Sequence, residues 1–137
     1  MKHQSLVSQV EIEQLIDAAE TVLLNAYAPY SQFQVGAAVL TKQGNIFSGC
    51  NVENVSYGLT ICAERNAIAA AVAVEGGAKM EITAIAIANN RSFPCSPCGA
   101  CRQVIHEFGK EAIVIFLDQT GWQVSSIDRL LPQGFSF

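Results

Sequence analysis

The chain is short of charge. Only 15% of its 137 residues are Asp, Glu, Lys or Arg, against roughly 25% in an ordinary soluble domain. So thin a charged surface points to burial of part of it against other subunits. Basic character is lacking too: the net charge is −4 and the eight Lys and Arg residues are scattered. Phosphate contacts dominate nucleic-acid affinity, so the missing basic stripe argues against a nucleic-acid binder. No apolar run is long enough to cross a bilayer, and nothing reads as a signal peptide. The expectation is a cytoplasmic protein with no membrane partner. Repeats, low-complexity tracts and linkers are also missing, which fits a single domain over residues 1–137.

What is present is a core and a set of thiols. Half of the residues are hydrophobic, enough for a core without disulfide staples. Five cysteines in a cytoplasmic chain point to metal or catalysis.

Ser8 and Glu11 form a capping box, and Ile12, Leu15, Ile16, Ala19, Val22 and Leu23 follow at helical spacing. Pro29 ends any continuation. Residues 35–40 and 46–52 read as strands joined by a turn at 42–45, where Gly44 can take a positive φ. Residues 62–75 read as an Ala-rich helix stopped by Gly76-Gly77. Residues 82–88 read as a strand buried on both faces. Ser96 is the expected N-cap of the next helix, with Pro97 at its first position, a core face of Val104, Ile105 and Phe108, and an end at Gly109. Residues 112–117 form another strand, a turn at 119–121 leads into 122–125, and 127–131 is a last helical turn. Helical crossovers imply parallel pairing of the central strands, and the short turns imply antiparallel hairpins at both ends. The fold class is α/β, a three-layer α-β-α sandwich with a mixed sheet of about five strands.

Cys98 and Cys101 are three residues apart and share one face of their helix, an ordinary spacing for a zinc pair. C-x-x-C also serves redox chemistry, but the strand order does not supply a thioredoxin-like context. Cys62, 36 residues before Cys98, also stands at a helix start, where the helix dipole stabilises a thiolate. Three thiolates leave one tetrahedral position open, the mark of a catalytic zinc site. Glu64, two residues after Cys62, can take and return protons beside such a site. Cys62-x-Glu64 alone reads equally well as an acidic residue in a helix's first turn; joined to Pro97-Cys98-x-x-Cys101 it reads as chemistry. Pro94-Cys95-Ser96-Pro97-Cys98 offers the same pattern three residues early, but Cys95 then precedes the N-cap and leaves the helical face. Cys50 reads as a buried small apolar residue. His3, in a terminal segment, and His106, away from the cysteine face, are not expected to bind metal.

Cys62-Ala63-Glu64-Arg65 with Ser96-Pro97-Cys98-Gly99-Ala100-Cys101-Arg102-Gln103 resembles the zinc-dependent cytidine deaminases. The resemblance extends over nearly the whole chain, through Pro29-Tyr30-Ser31-x-Phe33-x-Val35-Gly36-Ala37-Ala38, Gly49-Cys50-Asn51-Val52-Glu53-Asn54 and Leu130-Leu131-Pro132. It is strongest to the small homotetrameric type acting on free nucleosides. It implies one Zn2+ per subunit on Cys62, Cys98 and Cys101, with Glu64 as the proton-transferring residue. Asn51 and Glu53, at alternate strand positions, would bind the sugar hydroxyls, and Phe33 would pack on the pyrimidine. The Ala63 backbone and Glu64 would read the base. Tyr57 and Phe137 are candidates for completing a neighbouring subunit's pocket. Arg65 would offset the net −1 charge of zinc with three thiolates, as an arginine there does in the family.

The implied activity is hydrolytic deamination of cytidine and 2'-deoxycytidine in pyrimidine salvage. Three rivals remain. A nucleic-acid-editing deaminase is disfavoured by the acidic charge and by the short 119–121 turn, which makes the last strand antiparallel. A structural zinc module would need a fourth ligand, for which Cys95 is the candidate. A deaminase of a cytosine-nucleoside-like antibiotic is disfavoured by Phe33, Asn51 and Glu53 together. Residue chemistry without the resemblance stops at a zinc-dependent hydrolase.

Overall fold

The computed structural model describes residues 7–137; His3 lies outside them. Helix α1 (Gln9–Val22) starts at the expected capping box: Ser8 Oγ accepts from the Glu11 N–H, and Glu11 Oε1 accepts from the Ser8 N–H. It tightens into a 3-10 turn at Leu23–Asn25, and Ala26 is extended, so the chain has left the helix before Pro29. Strands β1 (Val35–Thr41) and β2 (Ile46–Cys50) form a hairpin whose turn holds Gly44 at φ +89°. A 3-10 turn at Tyr57–Leu59 precedes α2 (Ala63–Glu75), which stops at Gly76 with φ +93°. Then come β3 (Ile82–Asn89), α3 (Gly99–Phe108), β4 (Ile113–Asp118), β5 (Gly121–Ser126) and the short α4 (Ile127–Leu130).

The sheet order is β2-β1-β3-β4-β5. Both hairpins are antiparallel, as their short turns require. Parallel pairing follows only one of the two crossovers, β3 with β4. The α2 crossover joins β2 to β3, but β1 lies between them and pairs antiparallel with both. The reason is burial. From Gly36 to Thr41 every residue of β1 is buried, whereas β2 alternates towards solvent, so β1 takes the interior place and β2 the edge. At that edge Cys50 is only half-buried, not the core residue expected.

Side chains alternate across the sheet with period two. Ala38, Leu40, Ala84, Ala86 and Ala88 face α1, meeting Leu15, Ala19 and Leu23. Ala37, Val39, Ile85 and Ile87 face the other way, onto Ala67, Ile68 and Ala71 of α2 and Ile105 of α3. The result is the expected α-β-α sandwich. Because β2 and β3 run the same way, α2 and α3 both begin at one end of the sheet. That end is where ligands bind in open α/β sheets.

Helix α2 lies close on β2. Asn66 Nδ2 donates to the Cys50 carbonyl at 2.8 Å, and a Cβ added to Gly49 would overlap the Ala67 backbone N. Gly49→Ala is expected to lower unfolding free energy by about 1–3 kcal/mol through overpacking, read from the urea midpoint at unchanged slope. A wild-type midpoint would show that the helix tolerates a wider seat.

Candidate active site

Cys62 and Cys98 are the N-cap residues of α2 and α3, both in extended backbone, and neither makes a side-chain capping hydrogen bond. This corrects the expectation of Ser96 as the N-cap of α3. Arg102 explains the difference: its Nη2 donates to Ser96 Oγ at 3.0 Å and its Nε to the Pro97 carbonyl at 2.7 Å, so that hydroxyl is engaged outside the helix. Arg102 Nη1 also donates to the Leu130 carbonyl, tying the cysteine loop to α4.

Cys101 lies in the first turn of α3 and is fully buried, Cys62 is half-buried and Cys98 is exposed. Their sulfurs lie within 4.8 Å of one another. Zinc–thiolate bonds of about 2.3 Å in a tetrahedron place sulfurs about 3.8 Å apart, a separation compatible with this donor set. Three sulfurs leave the fourth position open. Cys95 stands outside the cluster: its N–H is bound to the Leu117 carbonyl at 2.9 Å, and its side chain lines the adjoining cavity. His106 lies under the C-terminal segment at Gly134, away from the thiols.

Arg65 Nη2 donates to Cys62 Sγ at 3.3 Å. The Cys101 thiol and then Arg65, through their hydrogen bonds, pull the Cys62 thiol well below its ordinary value against the opposing effect of burial. The hydrogen bond to Cys62, with burial, pushes Cys101 up. Arg65 is held firmly charged, chiefly by its bond to Cys62. Glu64 is 5% exposed, and burial, reinforced by the Cys62 charge, raises its carboxyl above the ordinary carboxylate value.

A cavity of about 260 Å³ runs from Phe33, Asn51 and Glu53 to Cys62, Glu64 and Cys98, with Ala63, fully buried, in its wall. A larger hollow of about 840 Å³, between Lys42, Met80, Phe108 and Lys110, lies at the opposite end of the sheet and holds none of these residues. Asn51 and Glu53 follow the end of β2 instead of lying in it, flanking Val52, which bridges Tyr27 and Ile61. Their spacing still sends both into one cavity. The Asn51 amide is buried; it accepts from the Val35 N–H and donates to the Phe33 carbonyl, each at 2.9 Å. Glu53 accepts from the backbone N–H groups of Tyr30 and Ser31 and from the Ser31 hydroxyl, and the hydroxyl contact leads in lowering its pKa.

Tyr57 and Phe137, the candidates for a neighbouring subunit's pocket, do not line the cavity of their own chain. Tyr57 is 75% exposed, its ring 6.0 Å from that of Tyr30, and Phe137 is fully exposed beside Phe135. Five wall residues were not among the site residues expected from the sequence: Ser31, Val35, Thr60, Cys95 and Ser96. Ser31 stands in the Pro-Tyr-Ser motif, but only the fold brings it to Glu53.

Comparison with known proteins agrees with this geometry. The family model described as the cytidine and deoxycytidylate deaminase zinc-binding region matches residues 9–117. A probable cytidine deaminase of Dictyostelium discoideum is 46% identical over 130 residues, covering 95% of this chain and 87% of that one. The crystal structure of cytidine deaminase from Mycobacterium tuberculosis superposes with a TM-score of 0.82 at 36% identity, over 94% of this chain and 100% of that one. A blasticidin-S deaminase of Bacillus cereus is more distant, 33% identical over 134 residues and 92% of each chain. The chain belongs to the cytidine and deoxycytidylate deaminase family, whose zinc-binding region it carries.

Proposed function

We propose that this chain, acting as one catalytic domain, converts cytidine and 2'-deoxycytidine to uridine and 2'-deoxyuridine with release of ammonia. The observation that carries the reading is one cavity shared by a three-thiol cluster, a buried carboxyl and the Asn51–Glu53 pair. Zinc held by Cys62, Cys98 and Cys101 supplies the Lewis acidity that makes water a nucleophile near neutral pH. Glu64 moves the protons. As a carboxylate it takes one from the attacking water and delivers it to ring N3 while the oxygen adds at C4. It then takes the remaining hydroxyl proton to the departing amine, so that ammonia leaves and Glu64 is a carboxylate again. A raised carboxyl suits a group that must accept and release protons in one cycle. Arg65 draws charge from the Cys62 thiolate, and the Ala63 backbone and the Glu64 carboxylate would read the base.

Asn51 and Glu53 would orient the sugar. The amide uses one donor and one acceptor site on Phe33 and Val35 and keeps another of each. The Glu53 carboxylate is braced by Tyr30 and Ser31, with lone pairs left for hydroxyls. Phe33 would pack on the pyrimidine.

The same reading makes the protein a cytoplasmic homotetramer of pyrimidine salvage, with each pocket completed by neighbours. Val55, Tyr57 and Leu59 support it as a run of exposed apolar side chains between Asn51 and Cys62. Tyr57 and Phe137 are exposed and free to enter another subunit's cavity. No helix among the described residues is long and apolar enough to cross a membrane.

An ultraviolet assay of cytidine, 2'-deoxycytidine, cytosine, blasticidin S and a cytosine-containing oligonucleotide tests the activity. The two nucleosides are expected to turn over. Glu64→Ala is expected to lower kcat at least about 100-fold with zinc retained. Turnover of the antibiotic alone, or of the oligonucleotide alone, would sink the reading. Metal content tests the ligand register: Cys101→Ser loses zinc, whereas Cys95→Ser keeps one ion per subunit. The reverse pattern would put the site three residues earlier.

A further inference from the structure

Behind Phe33 stands a second aromatic ring. Phe33 lines the cavity and Phe93 does not, yet their rings stack with centroids 6.2 Å apart at 22°. That separation lies in the range of about 4.5–7 Å where offset-stacked rings attract. Nothing in the cavity chemistry requires Phe93, which is half exposed.

Its placement is nevertheless built. Asn89, at the end of β3, is 7% exposed and spends its amide on the loop that follows. Its Oδ1 accepts from the N–H groups of Arg91 and Phe93, and its Nδ2 donates to the Phe93 carbonyl, all at 3.0 Å. Both backbone polar groups of Phe93 are thus held by one buried side chain, and the turn between carries Ser92 at φ +52°. The loop is also stitched to the segment that carries Phe33. The Asn90 N–H donates to the Gln34 carbonyl at 3.0 Å, and Asn90 Oδ1 accepts from the Gln34 N–H at 3.1 Å. Asn90 Nδ2 and Arg91 Nη2 both donate to the Gln32 carbonyl at 3.4 Å. The Arg91 guanidinium lies 5.9 Å from the Phe93 ring centroid, adding a cation–π layer. Phe93 thus contacts both the Arg91 guanidinium and the ring that lines the cavity.

We propose that Phe93 is a positioning residue for base recognition, acting through Phe33 by holding that ring against the pyrimidine. The proposal rests on the reading of Phe33 as the base-packing residue. A ring with one face to the ligand and no neighbour behind it keeps its rotational freedom and loses it on each binding event. A stacked partner removes that freedom beforehand. The contribution is to binding and not to proton transfer, so KM carries it and kcat does not.

Steady-state kinetics of Phe93→Ala, Phe93→Tyr, Phe33→Ala and the Phe33→Ala/Phe93→Ala double variant test this, with zinc content measured alongside. Phe93→Ala is expected to raise KM for cytidine roughly three- to tenfold, with kcat and zinc content unchanged. Phe93→Tyr, which keeps the stacking ring, restores the wild-type KM. Because Phe93 acts through Phe33, the double variant matches Phe33→Ala alone. A wild-type KM in Phe93→Ala, additive losses in the double variant, or a kcat fall matched by lost zinc each overturns the proposal while leaving the Phe33 reading intact. An unchanged KM in Phe33→Ala overturns that reading, and the proposal with it.

Discussion

Two helix N-termini meet at one end of the sheet, each capped by a cysteine, and the site depends on that meeting. Cysteine is a poor cap, and neither Cys62 nor Cys98 makes a capping hydrogen bond. Losing a good cap costs about 1 kcal/mol per helix. Metal binding to the folded site adds to stability by mass action and so offsets the two lost caps. Each N-terminus carries roughly half a positive charge. With the Arg65 guanidinium on Cys62 Sγ, these offset the −1 that three thiolates leave on zinc. Topology makes the meeting possible: β2 and β3 run the same way because both pair antiparallel with β1, so the helices that follow them begin at the same end.

The cavity's polar residues brace the fold before they serve a substrate. Asn51 holds the backbone on both sides of Gln34, and Glu53 gathers the backbone at Tyr30 and Ser31. The segment carrying Phe33 is therefore fixed by the same side chains proposed to meet the sugar. Groups held at two or three points lose little further entropy on binding, which is the physical content of a preorganised site. Glu64 shows the other side of this design. A carboxyl at 5% exposure is a poor stabiliser of the fold, and burial raises its proton affinity, which suits the proton-transferring role proposed for it.

Much of this could be read from the sequence wherever local chemistry decides. The Ser8–Glu11 box, the Gly44 turn, the Gly76 stop and the burial of β3 on both faces are local signals, and the structure follows them. The cysteine register came out of the sequence for an incomplete reason: Cys98 and Cys101 do join Cys62, but the cap that was to exclude Cys95 is Cys98 itself and not Ser96. What escaped depends on partners distant in sequence. Ser96 has the chemistry of a cap but loses that role to Arg102, whose reach to Pro97 and Leu130 is tertiary. The α2 crossover predicts a parallel pair, but β1, apolar on both faces, takes the place between. Ser31 under Glu53 and Phe93 behind Phe33 bring together segments 22 and 60 residues apart, with no periodicity to announce them.

The central claim is a zinc site of three thiolates with one open position beside Glu64. X-ray absorption at the zinc edge of the metal-loaded protein measures it most directly. The account predicts three sulfur neighbours at about 2.3 Å and one oxygen or nitrogen neighbour at about 2.0–2.2 Å. Four sulfurs would mean that a further thiolate such as that of Cys95 closes the site, and would contradict it.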